Sequence, residues 1–121
     1  MNADDLKKRT KQFALRVPKL VAALPKTVSG RAIAGQLARA GTSVGANYRA
    51  ACRGRSLAEF IAKMGTTEEE ADESLGWLEL IGALEMASGL EFDWLLREAD
   101  ELTAIFSASH KTAQANRQRR G

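Results

Sequence analysis

Apolar residues return every three or four positions along almost the whole of this 121-residue chain. That spacing gathers side chains on one side of an α-helix and does not suit a strand, whose side chains alternate. Leu6, Phe13, Val17, Leu20 and Leu24 make one such seam, and Ile33, Leu37, Ala40, Val44, Asn47 and Ala51 a second. Leu57, Phe60, Met64, Ala71, Leu75 and Leu78 make a third. The fourth takes Phe92, Leu95, Leu96, Ala99, Leu102, Ile105 and Phe106. Pro25, Gly54 and Gly89 fall between the seams, where helices stop. Amphipathic helices joined by short connections pack as successive antiparallel neighbours. The expected fold is therefore all-α: a single-domain, antiparallel, up-down-up-down four-helix bundle over residues 1–116. Residues 117–121 are expected to form a basic, disordered tail.

Local signals set the expected boundaries. The first helix should run from about Asp4 to Leu24, with Asp4 and Asp5 at its positive end and Pro18 kinking it. The second should start behind Ser29 as N-cap and run from Gly30 to Arg53. Within it Gly41 and Gly45 permit close approach of a neighbouring backbone, and Asn47 on the seam needs a partner and can set register. Ser56, with Glu59 three residues on, has capping-box spacing for a third helix reaching Ser88 and stopped by Gly89. That helix carries an offset stripe of Trp77, Leu80, Ile81 and Leu84, wider than one intramolecular groove requires. The surplus points to a partner subunit, with these four residues as candidate interface.

The net charge of +3 hides an asymmetry. Met1–Lys63 holds 13 Lys/Arg against 3 Asp/Glu, whereas Met64–Gly121 holds 5 against 12. The halves can neutralise each other within the bundle, with Arg49 and Arg53 facing Glu68–Glu73 and Glu79, or the basic half can face nucleic acid. For the second role the candidates are Lys7, Lys8, Arg9, Lys11, Arg16 and Lys19 in the first helix. Arg39, Arg49, Arg53 and Arg55 lie in or beside the second, and Arg117, Arg119 and Arg120 end the chain. Clustered cations hold phosphates by releasing counterions and need no base contacts. Tyr48 is the only aromatic near the second-helix cluster, so stacking on bases is not the expected mode.

Catalytic constellations are not visible. One His and one Cys cannot make a usual zinc set, and Ser107 stands where a di-iron bundle needs the Glu of Glu-x-x-His110. Cys52 beside Arg49 and Arg53 has no base nameable from sequence. Gly41-Thr42-Ser43-Val44-Gly45 lacks the Gly-Lys-Ser/Thr and the preceding strand of a phosphate loop. The expectation is a non-enzyme with no metal, cofactor or small-molecule substrate. No run is apolar enough to span a membrane and the polar N-terminus has no signal-peptide core, so a cytoplasmic location is expected.

Several residues together carry a family likeness: Leu24-Pro25, Gln36-Leu37, Gly41 to Arg49, Phe60, Lys63, Glu70-Ala71-Asp72-Glu73, Trp77-Leu78-Glu79-Leu80 and Glu98 to Phe106. This pattern resembles the four-helix-bundle proteins encoded in 23S rRNA intervening sequences. Those proteins are similar to the accessory variability determinant of diversity-generating retroelements. The resemblance implies an antiparallel bundle assembling into a homopentameric ring. It also implies, for the retroelement branch, a basic surface that binds RNA or DNA and a reverse transcriptase as partner. Ala50 stands where the family commonly has Glu, and Pro18, Gly65 and Gly76 depart from its helix formers. No catalytic residue transfers. The contrasting expectation is a purely structural or protein-interaction module that binds no nucleic acid.

Overall fold

The computed structural model describes residues 1–120, and every regular element among them is helical: α1 Ala3–Ala23, α2 Val28–Cys52, α3 Leu57–Ala83 and α4 Leu90–Arg120. Each helix packs on two neighbours, α1 on α2, α2 on α3, α3 on α4 and α4 back on α1. The four thus form a closed square, the four-helix bundle that the seams require. Phe13 and Val17, Leu37 and Val44, Met64 and Leu78, and Leu95 and Phe106 contribute fully buried side chains from the four helices in turn.

Helix starts follow capping chemistry, and two differ from expectation. Asn2 caps α1, which begins one residue before the expected Asp4: its side chain accepts from Asp5 N at 2.9 Å, and Asp5 accepts from Asn2 N at 3.3 Å. Thr27, not Ser29, caps α2, its hydroxyl accepting from Gly30 N at 3.0 Å. Thr27 takes that place because Pro25 turns sharply beside Gly30. A Cβ on Gly30 would sit 2.0 Å from the Pro25 carbonyl oxygen, so only glycine fits. Ser56 caps α3 as expected, accepting from Glu59 N at 3.1 Å, while the Glu59 carboxylate accepts from Arg55 N at 2.7 Å.

Helix ends differ more. α1 runs through Pro18 as one helix, since Pro18 lies on the exposed side where a missing donor meets solvent. α3 stops at Ala83 rather than Ser88. Met86 N donates to Ile81 O at 3.0 Å and Glu85 N to Gly82 O at 3.0 Å, a Schellman closure. Glu85, at φ 57°, occupies the left-handed position where glycine is usual, which a sequence reader looking for glycine passes over. Gly89 instead begins α4, its carbonyl accepting from Asp93 N at 2.9 Å. α4 continues as helix through Arg120, because no Gly or Pro interrupts it and its last cations suit the negative end. Residues 117–120, expected as tail, are its final turn; Gly121 lies outside the described residues.

Asn47 does not sit on the seam. Tyr48 is buried in its place, and the Asn47 amide donates to Ser43 O at 3.0 Å within its own helix. The inward stripe Val44–Tyr48–Ala51 keeps the 4–3 spacing without it. Asn47 therefore sets no register between helices.

Candidate nucleic-acid interface

The site grows out of the seam between α1 and α2. Gly41 faces Val17, where an added Cβ would lie 2.9 Å from Cγ2. Gly45 faces Thr10, where it would lie 3.1 Å from the hydroxyl. The missing side chains let the two helices approach closely, so residues flanking the seam on each helix converge. Thr10 is buried there, its hydroxyl donating back to Leu6 O at 2.9 Å, so this polar group needs no other partner.

Above that floor lies a groove of about 400 Å³. Lys7, Lys8 and Lys11 line it from α1 and Arg49 and Arg53 from α2. Between them are only small side chains, among them Ala14, Thr42 and Ala46. Lys7 and Lys11, like Arg49 and Arg53, are four residues apart and so share a helix face, about 6 Å apart along the axis. None of the five is ion-paired among the described residues. The arrangement is a cation-lined trough, suited chemically to closely spaced anions.

The other candidates lie elsewhere. Arg9 turns toward α4 and grips Glu98 with two bonds, Nε–Oε2 at 2.9 Å and Nη2–Oε1 at 2.5 Å, with Glu101 at 3.7 Å. The bond to Glu98 holds the Arg9 guanidinium above its ordinary pKa. Glu98 is buried, so this pair closes the weakest of the four seams rather than serving a ligand. Arg16 lies over the Trp94 ring, 3.9 Å from its centroid, and 3.9 Å from Glu91. Arg39 pairs with Glu70 at 3.2 Å and with Glu73, joining α2 to α3. Neutralisation between the halves thus runs through Arg39, while Arg49 and Arg53, expected to pair with Glu68–Glu73 and Glu79, stand apart. Lys19 and Arg55 are exposed outside the groove, and Arg117, Arg119 and Arg120 form the last turn of α4.

Tyr48 points away from the cations. It is buried against Phe106, ring centroids 5.3 Å apart, and its phenol is held above the usual range by burial first and the neighbouring Cys52 second. The interface candidates also divide. Ile81 is fully buried, because the inward stripe 71–74–78–81 includes it, so it contributes to the subunit core and not to a surface. Trp77 is half-buried against that core, its indole Nε1 enclosed with no hydrogen-bond partner among the described residues. Leu80 and Leu84 are 39% and 50% exposed.

Opposite the cation groove, between α3 and α4, lies a second one. Glu68, Glu69, Asp72 and Asp100 line it, with His110 bonded to Glu68 at 3.1 Å. Among the described residues no three His, Cys, Asp or Glu converge as a metal site, and no helix is long and apolar enough to cross a membrane.

The family model of the 23S rRNA-intervening sequence protein matches residues 4–108, which reaches from α1 into α4. The chain belongs to that family. A fellow member in fold is a crystal structure of a protein of unknown function from the S23 ribosomal protein family of Bacteroides thetaiotaomicron VPI-5482. It superposes with a TM-score of 0.80 at 29% identity, covering 92% of this chain and 99% of that one. No curated protein matches. Membership in the family does not by itself assign the groove a ligand.

Proposed function

We propose that this protein is a non-enzymatic, oligomeric bundle that binds RNA or DNA through the α1/α2 groove as an accessory or scaffold. The observation that supports this reading is the convergence of Lys7, Lys8, Lys11, Arg49 and Arg53 on one trough, none of them ion-paired among the described residues. Five like charges gathered without counter-charge repel one another, and a polyanion relieves that repulsion while releasing its own counterions. The Lys and Arg heads bind phosphate oxygens, and the Ala and Thr floor lets the backbone approach without selecting bases.

The test is fluorescence anisotropy of mixed-sequence RNA against increasing KCl. With five phosphate contacts on single-stranded RNA, log K should fall with log[salt] at a slope of about −3.5. No binding at 50 mM KCl, or a slope near zero, overturns the reading.

Assembly belongs to the same proposal. Leu80 and Leu84 leave an apolar strip at the end of α3, and covering their exposed halves contributes about 1 kcal/mol per side chain. The homopentameric ring, like a reverse-transcriptase partner, comes from the family resemblance. Size-exclusion with light scattering decides the ring: a mass of one chain at micromolar concentration removes it. The Arg39 pairs with Glu70 and Glu73 favour the alternative, a purely structural or protein-interaction module, to a limited degree. They neutralise one basic residue of α2 and leave the groove charged.

A further inference from the structure

We infer that the ligand of the α1/α2 groove is double-stranded nucleic acid rather than a single strand, an inference that rests on the phosphate-binding reading above. Proteins that hold single strands stack bases on exposed aromatic rings. This chain has seven aromatic residues, and none lines the groove. Phe13, Tyr48, Phe92 and Phe106 are buried; Phe60, Trp77 and Trp94 pack half-buried against the core, and the Trp94 ring is covered by Arg16. A single strand therefore finds charge here and nothing else.

On charge alone the duplex wins. It carries one phosphate per about 1.7 Å of axis, against about 3.4 Å for each strand, and releases more counterion per contact. The groove also presents its cations in two rows, Lys7–Lys11 on α1 and Arg49–Arg53 on α2. The axes of packed helices stand about 8–10 Å apart, so the rows can meet phosphates of two strands at once. The acidic groove on the opposite face, with Glu68, Glu69, Asp72 and Asp100, repels the same ligand. Each bundle thus holds a duplex on one side only.

The experiment uses the full chain and one 20-nucleotide sequence in four labelled forms: single-stranded RNA, single-stranded DNA, RNA duplex and DNA duplex. With five contacts the salt slopes should be about −4.5 for duplex and −3.5 for single strand, which, for equal affinity at about 1 M salt, makes the duplex roughly twentyfold tighter at 50 mM KCl. Whichever duplex binds tighter identifies the source. Single strands binding as tightly as duplexes overturn the inference and leave the phosphate-binding reading intact; no binding to any form overturns both. A variant tests the cause. Ala46→Trp puts a ring in the groove at an exposed position, and it should raise single-strand affinity severalfold and narrow the duplex preference. An unchanged preference sinks the argument from missing rings.

Discussion

The groove between α1 and α2 and the groove between α3 and α4 are made the same way and carry opposite charge. In both, glycine lets a side chain of the neighbouring helix fit closely: Gly41 and Gly45 against Val17 and Thr10, Gly65 and Gly82 against His110 and Phe92. In the first, Lys and Arg rim the trough; in the second, Glu68, Glu69, Asp72 and Asp100 do. Shape alone therefore does not distinguish a ligand site from a packing groove in this bundle. Charge does, and only where it is left without partners. Arg9, Arg16 and Arg39 carry the same formal charge as Arg49, yet their charges are engaged by Glu98, by Trp94 with Glu91, and by Glu70 with Glu73.

The sharpest way to break this contrast is charge reversal on each side. Lys8→Glu with Arg49→Glu removes two phosphate contacts and adds two repulsions, so RNA affinity at 50 mM KCl should fall by about two orders of magnitude or more. Glu69→Lys with Asp72→Lys on the other face should hold or raise affinity. Equal losses from both pairs would show that the grooves do not differ in role.

The glycines give the next largest effect. Ala at Gly41 places its Cβ against fully buried Val17, and overpacking of about 1–3 kcal/mol outweighs the roughly 1 kcal/mol gained in helix propensity. A net loss of about 1 kcal/mol should lower Tm by about 4 °C. Gly76→Ala, where the added Cβ meets nothing within 4 Å, should raise stability by about 0.5–1 kcal/mol. Denaturant midpoints at constant m-value would check both, and a gain from Gly41→Ala would mean that the seam is looser than described.

The smallest effect concerns Tyr48, beside the groove but turned inward. Burial raises its pKa above the ordinary 10.0, so the unfolded chain ionises it first. The stability it lends is complete below pH 10 and is lost as pH rises from there toward the folded value. Unfolding measured from pH 9 to 11 should show a falling stability whose slope shrinks in Tyr48→Phe. An identical slope would show that Tyr48 is not protected from ionisation.

The helix count, the family and most of each seam were legible because 3–4 spacing and matched residues are local patterns, although in α3 Ile61 and Ser74 are buried while the expected Leu57, Phe60 and Leu75 are half-buried. Boundaries were less so. Ser29 looks like as good a cap as Thr27, and Glu85 carries no mark of a left-handed residue; each outcome depends on how the chain leaves the previous helix. Of the thirteen candidate cations, five share the groove, and the i, i+4 pairs Lys7/Lys11 and Arg49/Arg53 were the available signal. What could not be read was their freedom from ion pairs, since Arg9 directly follows Lys7 and Lys8 in sequence yet reaches across 89 positions to Glu98.

By itself, then, the sequence determined that the chain forms four amphipathic helices, and that its first half is basic, because periodicity and composition are properties of neighbours along the chain. Which cations remain unpaired, which of Trp77, Leu80, Ile81 and Leu84 face outward, and where Asn47 sends its amide were decided only by tertiary packing. Such outcomes depend on the few ångströms between helices, and those distances are set jointly by side chains that the linear order keeps far apart.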